Sequence, residues 1–317
     1  MPTLFEAALE NNILVIKENL DKVGTLDERG KSLLHYAVLG SAADVVELLL
    51  SRGMSPNIKD TTGETPIFDC ARKAKLKIAK ILLNNKANVN IENSRKETPL
   101  HLACAKGDID FIKLLVENGA ITSKTSDGKL PIHYAILGGN SNCLNYLIDV
   151  NKDSWQQRDF QGNTLLHYAT RTTNSILVSF LIDRKLNVNA LNDQFETPLF
   201  NAVRYGNPEI INLLLNNEAY VSIKNRRYET PLDIGQIFDQ PENYNYLLER
   251  TEQVDHTKLE EKQSLALAVL NRDHVMLRRL IDVSTPMKKD YYEKTALDYA
   301  KEYKFELCVS LLKDYLK

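Results

Sequence analysis

A chain of 317 residues that is 43% apolar and 26% charged has the balance of a folded soluble protein, with room for two ordinary domains or one long repeat array. Its net charge of −2 excludes a global basic field of the kind that recruits nucleic acid. The four cysteines lie far apart with no C-x-x-C spacing, which argues against a zinc site and a disulfide framework and fits a reducing, cytoplasmic compartment.

Residues 2–31 carry apolar positions at Leu4, Ala7, Ala8, Ile13, Ile16 and Leu20, the spacing of two short helices. The start MPTLFEAALENN lacks a basic stretch followed by an apolar core, so no signal peptide is expected there, and no segment reaches the ~18 apolar residues of a membrane span. From Ser32 onward one pattern recurs. SLLHYAVLGSA begins at Ser32, TPIFDCARKAK at Thr65, TPLHLACAKGD at Thr98 and LPIHYAILGGN at Leu130. TLLHYATRTTN begins at Thr164, TPLFNAVRYGN at Thr197 and TPLDIGQIFDQ at Thr230, with decayed copies at Gln263 and Thr295. The steps between these starts are 32 to 34 residues throughout, so the pattern is an internal repeat.

One unit shows the physics. Thr98 is an N-cap candidate and Pro99 stands at the first helical position, where its missing N–H costs nothing. Leu100, Ala103 and Cys104 give a short helix one apolar face, and Gly107 ends it. Ile109, Ile112, Leu114, Leu115 and Val116 make a second helix, which Gly119 stops. Neither helix is long enough to bury its face alone, so the units must stack. The charged stretch ERTEQVDHTKLEEK at 249–262 reads as a repeat junction, because the period continues across it.

The T-P-L-H-x-A start and the period of about 33 residues resemble those of ankyrin repeats. The resemblance implies an all-α fold, an ankyrin-repeat solenoid of helix–turn–helix units joined by β-turn tips, curved around a concave binding face. It implies a single array over residues 1–317, with units starting near 2, 32, 65, 98, 130, 164, 197, 230, 263 and 295 and the first and last acting as caps.

Candidate chemistry is weighed against this frame. His35, His101, His133 and His167 share one motif position on separate units. Packed helices lie about 8–10 Å apart, whereas zinc holds its imidazole ligands at about 2.0–2.1 Å, so neighbouring units cannot share an ion through them. Each ring is expected to bond backbone near its own turn and the next. Cys70 and Cys104 stand where alanine is usual, and Cys143 and Cys308 fall within second helices as small hydrophobes. No phosphate-binding glycine loop, nucleophile elbow or zinc-protease motif occurs. The chain is therefore read as no enzyme, with no cofactor and no metal. Trp155 aligns with Val89 and Val188 and is expected to be core.

Function is then expected on the variable exposed positions. In ankyrin proteins these are the turn tips and first-helix ends of the concave face. The units starting at 164, 197 and 230 combine Phe160, Arg171, Phe195, Arg204, Tyr205, Arg226, Arg227, Tyr228 and Phe238 there. Phe195 and Tyr228 replace the glycine usual in the turn. Arginine and aromatic residues dominate interface energetics, so these nine are read as a partner-binding patch suited to an acidic protein surface. Nucleic acid and membrane are not expected as partners, and the chain is expected to be a monomer. The expected function is a non-catalytic adaptor or inhibitor. The alternatives are a bacterial effector or viral factor acting in a host cell, and a regulatory subunit of an enzyme. NVNI (88–91) and NVNA (187–190) also resemble asparagine hydroxylation sites of ankyrin repeats, with Asn90 and Asn189 as acceptors.

Overall fold

The computed structural model describes residues 3–152, 154–252, 264–281, 289–290 and 292–315. Residues 1–155 and 156–317 form two compact units, each taken in turn below. Among the described residues the regular elements are helices, twenty of them α-helical, and no strand occurs.

The first unit contains α1 (Leu4–Leu9), α2 (Ile13–Glu18), α3 (Leu33–Gly40), α4 (Ala43–Ser51) and α5 (Pro66–Lys73). It continues with α6 (Leu76–Asn84), α7 (Pro99–Lys106), α8 (Ile109–Glu117), α9 (Pro131–Leu137) and α10 (Ser141–Val150). Odd-numbered helices stack on one another in order, and even-numbered helices do the same behind them. The core between the layers is continuous. In one unit Leu100, Ala103, Cys104, Phe111, Ile112 and Leu115 are buried completely or nearly so. Each such leucine, isoleucine or phenylalanine contributes roughly 1.5–3 kcal/mol by leaving water. Phe111 belongs to this core, whereas Ile109, Leu114 and Val116, expected on the same face, are only half-buried. Val89 and Val188 are buried, but Trp155 at the aligned position is half-buried. The expectation of a core tryptophan is corrected accordingly, since Trp155 is only partly withdrawn from solvent.

Helix starts are set locally. Thr98 is extended at φ −106° and ψ 165°, with Pro99 in the first turn. Its N–H donates to Nδ1 of His101 at 3.0 Å, so the histidine takes the place a glutamate holds in an ordinary capping box. Gly107 closes α7 in the left-handed region at φ +78°, as the sequence implied.

The turns before α5 and α7 are each organised by one short polar side chain. Asp60 accepts from the N–H groups of Thr62 (2.9 Å) and Glu64 (3.0 Å), and Asn93 does the same for Arg95 and Glu97 at 2.9 Å each. Successive tips are then tied together, Thr61 N–H to Arg29 C=O and Ser94 N–H to Thr62 C=O, both at 2.9 Å.

The second unit contains α11 (Leu165–Ala169), α12 (Ser175–Asp183), α13 (Pro198–Tyr205), α14 (Pro208–Asn216), α15 (Pro231–Ile237) and α16 (Pro241–Glu252). These stack as in the first unit. Two further helical hairpins follow, α17 (Leu265–Leu270) with α18 (His274–Ile281), and α19 (Ala296–Glu302) with α20 (Glu306–Tyr315). Within 249–262, read as a junction, residues 249–252 end α16 and 253–262 lie outside the described residues.

The last two hairpins stack on each other, and their apolar sides meet Leu191, Phe200, Ile223 and Ile234. Their polar contacts reach further back along the chain. Tyr303 Oη accepts from Leu191 N–H (2.9 Å), and Asn187 Nδ2 donates to Tyr299 Oη (3.0 Å). Arg158 pairs with Glu302 at 2.8 Å. In a strictly linear stack a repeat touches only its neighbours. A bond from residue 302 to residue 158 therefore means that these hairpins lie along the loops of earlier repeats.

At the turn position that holds Gly30, Gly63, Gly128 and Gly162, the chain places Lys96, Phe195, Tyr228 and Glu293, all with φ between 57° and 64°. A side chain there costs about 1–2 kcal/mol of backbone strain. At Phe195 ring packing offsets this cost. Tyr228 is 78% exposed.

Candidate partner-binding site

The nine residues read from the sequence fall into three groups in the second unit. Arg171, Arg204, Tyr205 and Phe238 form the first. They lie at the C-terminal ends of α13 and α15 and just past α11. The Arg171 guanidinium stands 5.3 Å from the centre of the Tyr205 ring, and that of Arg204 stands 5.7 Å from the same ring. Arg204 also lies 4.7 Å from the Phe238 ring. Cations and rings thus alternate along three consecutive repeats. The rings stay accessible, Tyr205 at 48% and Phe238 at 45%, and Ile237 beside them is 59% exposed.

Arg204 is fixed in this row by Glu196, which takes two hydrogen bonds from it at 2.8 and 3.1 Å. Burial works against the guanidinium charge, but Glu196 outweighs it and holds Arg204 above its ordinary value. The fork–fork geometry leaves Arg204 little charge to offer a newcomer, so its part is to hold the rings. Arg171 is exposed and makes no ion pair among the described residues.

The second group is Phe195 with Arg226. Phe195, expected to stand free at a turn tip, is half-buried edge-on against Phe305 at 5.5 Å, with Arg226 over its face at 4.7 Å. The reason is the return of the last hairpins, which the repeat pattern does not announce. Neighbouring residues Phe195 and Glu196 therefore serve two different clusters. The third group is Phe160, Arg227 and Tyr228, exposed on the turn tips.

Matching positions of the first unit are built differently. Arg72 pairs with Glu64, as Arg204 does with Glu196, and also with Asp69 at 3.3 Å. Lys31 reaches Asp69 at 3.2 Å. Asn93 Nδ2 donates to Glu64 (3.2 Å) and Glu97 (2.8 Å), and Tyr134 Oη donates to Glu97 (2.6 Å). Burial raises the Glu97 carboxyl, yet Tyr134 and Asn93 outweigh it and hold it below its ordinary value.

Three of the four motif histidines share one scheme, and His133 shares its first half by accepting the N–H of Leu130 at Nδ1 (3.0 Å). Nδ1 accepts the N–H of Ser32, Thr98 or Thr164, so in His35, His101 and His167 the proton sits on Nε2. That Nε2–H donates to the carbonyl of Glu64 (3.3 Å), Lys129 (3.3 Å) or Glu196 (3.0 Å) in the next repeat. Burial lowers His101 and His167 to about 4. The four cysteines are buried, and burial pushes the Cys143 thiol up to about 11 and Cys104 well above its ordinary value. Such thiols are not thiolates at neutral pH. Among the described residues no His, Cys, Asp and Glu group is arranged to hold a metal ion. No described helix is long and apolar enough to cross a membrane.

Asn90 and Asn189 brace one repeat against the next. Asn90 Nδ2 donates to Gly119 C=O (2.9 Å) while its Oδ1 accepts from Ile121 N–H (3.0 Å). Asn189 does the same with Glu218 and Tyr220 at 2.8 Å each.

The sequence matches the family described as Ankyrin repeats (3 copies) over residues 4–93, 85–157 and 139–225. Over 81 residues it is 36% identical to an ankyrin repeat-containing protein of Schizosaccharomyces pombe. That stretch is 25% of this chain, which spans 38% of the length of the yeast relative. Ankyrin repeats in general mediate protein–protein interaction. With the stacked hairpins, the turn tips and a match running from residue 4 to 225, the chain belongs to the ankyrin-repeat family.

Proposed function

We propose that this chain is a non-catalytic adaptor or inhibitor that binds a protein partner through Arg171, Tyr205 and Phe238, with Arg204 positioning the rings. Phe160, Arg227 and Tyr228 extend the contact along the turn tips. The observation that carries the reading is the alternating row of cations and half-exposed rings, with Ile237 beside it. Buried interface anchors are typically aromatic residues and arginines, and an apolar ridge of this kind stays exposed in a monomer at a risk of self-association. The free charge of Arg171 favours a partner with an acidic surface. The chain works as a monomeric array in the cytoplasm on this reading and needs no cofactor.

The test is affinity capture with wild type, the triple variant Arg171→Ala/Tyr205→Ala/Phe238→Ala, and the control Lys73→Ala/Lys106→Ala in the first unit. A partner retained by the control and lost by the triple variant supports the patch. Equal capture by all three proteins refutes it.

Hydroxylation at Asn90 and Asn189 belongs here too. Because each amide braces the next repeat, an enzyme has to open that loop to reach it. Intact-mass analysis after co-expression with an asparaginyl hydroxylase checks this, and an unchanged mass ends the idea.

A further inference from the structure

Two like charges meet at one ring in the second unit. The guanidinium of Arg226, on a turn tip, lies 4.7 Å from the centre of Phe195. That of Arg272, between α17 and α18, lies 4.3 Å from the same centre. Phe305 holds the ring from its edge at 5.5 Å. The two like charges are therefore held no more than about 9 Å apart.

Neither arginine forms an ion pair among the described residues. Their hydrogen bonds go to backbone carbonyls, Arg226 Nε to Asp193 and Arg272 to Lys224 at 2.7 Å. Carbonyls orient a guanidinium without cancelling its charge. The acids nearby are occupied or turned to other tasks. Asp273 caps α18 by accepting from Met276 N–H (2.9 Å), and Glu229 accepts from Asn225 (2.8 Å). Burial, with a further push from Arg226, holds Arg272 below its ordinary value against the opposing pull of the Tyr228 phenol. Arg227 adds a third, exposed cation on the same turn, and Tyr228 adds an exposed hydroxyl donor.

We propose that Arg226 and Arg272, braced on Phe195, bind a phosphate-type dianion, either free or carried as a monoester. Two guanidinium forks match two negative charges and the several acceptor oxygens of a phosphoryl group. A singly charged carboxylate relieves only half of the repulsion. The site joins the turn of an earlier repeat to the hairpin of α17 and α18, so the bound anion also ties the last hairpins to the loops beneath them. The site stands without the partner reading above: it uses Arg272, which that patch does not contain, and the anion binds whether or not Arg171, Tyr205 and Phe238 engage a protein.

The test is a titration of the full chain at fixed ionic strength with inorganic phosphate, O-phosphoserine and acetate, followed by the NMR signals of the arginine Nε–H groups. Saturable shifts at Arg226 and Arg272 are expected with the two phosphates. Arg226→Gln and Arg272→Gln should each weaken binding about tenfold, and Arg171→Gln should leave it unchanged. Arg226 lies on an exposed tip, so its variant keeps the fold, which far-ultraviolet circular dichroism verifies. Tighter binding of O-phosphoserine assigns the monoester, and equal or tighter binding of inorganic phosphate assigns the free ion. Acetate binding as well as phosphate, absence of saturation, or equal binding by the glutamine variants overturns the proposal.

Discussion

The two units use equivalent positions in opposite ways. Both contain an arginine paired with the glutamate that precedes the helix start, Arg72 with Glu64 and Arg204 with Glu196. In the first unit the pair continues into a chain of contacts from Lys31 through Asp69, Arg72, Glu64, Asn93 and Glu97 to Tyr134. In the second it is flanked by Tyr205 and Phe238, which remain open. The same arginine–glutamate pair thus joins a polar chain in one unit and stands between open rings in the other, and the residue just after the arginine differs accordingly. Lysine follows Arg72, and tyrosine follows Arg204.

Acid is the strongest probe of what the units share. His101 and His167 sit at about 4 when folded against an ordinary 6.5. Because the folded value is depressed, the unfolded chain binds the proton first. The stability these rings contribute is complete above about pH 6.5 and is lost as the pH falls towards 4, roughly 3 kcal/mol for each ring. Urea unfolding at pH 7.5 and 4.5 should show this loss. His101→Gln in one unit and His167→Gln in the other should flatten it equally, and an unchanged slope in both variants breaks the account.

The ion pairs separate the units. Glu196→Ala strands Arg204, whose remaining side-chain acceptor is Asn201 at 3.4 Å, and should cost about 3 kcal/mol. Glu64→Ala should cost about 1 kcal/mol, because Arg72 is more exposed and keeps Asp69. Denaturant midpoints in the reverse order would show that the network of the first unit is not redundant. The turn tips sharpen the contrast further. Tyr228→Gly should raise stability by about 1 kcal/mol by relieving left-handed strain, whereas Phe195→Gly should lower it by about 1 kcal/mol, since the lost ring packing exceeds that relief. Thermal midpoints moving in the same direction would contradict this. Smallest of all, Arg95→Ala removes a pair to Glu97 whose arginine is mostly exposed and should change stability by under about 0.5 kcal/mol in the same assay.

Legibility in the sequence followed the range of the interaction. The helix boundaries could be read because Thr98, Pro99 and His101 act within one turn of each other and Gly107 acts directly on the last turn. The first-helix core followed from the same spacing, and in the second helix Ile112 and Leu115 are inside, joined by Phe111, which was not named, while Ile109 lies at the edge. Arg204, Tyr205 and Phe238 were found by comparing repeats, since their contacts lie one repeat apart. Phe195 was misjudged, and Arg272 and Tyr303 were not singled out. Their contacts Arg272–Phe195, Phe195–Phe305 and Arg158–Tyr303 span 77 to 145 residues, and the period describes only how a repeat meets the next. A clue was present in Phe195 itself: a bulky ring where glycine is usual has to gain something elsewhere.

The histidine bridges give the array a seam pattern. A proton-bearing Nε2 links one repeat to the next at His35, His101 and His167, whereas Phe68 and Phe200 fill the same position with hydrocarbon. In a linear array the order of unfolding is set by the strength of each nearest-neighbour coupling. Among these five joints the couplings are of two kinds, one weakened by protons and one indifferent to them. Acid approaching pH 4 therefore weakens the joints made by His35, His101 and His167, while those filled by Phe68 and Phe200 carry no proton-sensitive group.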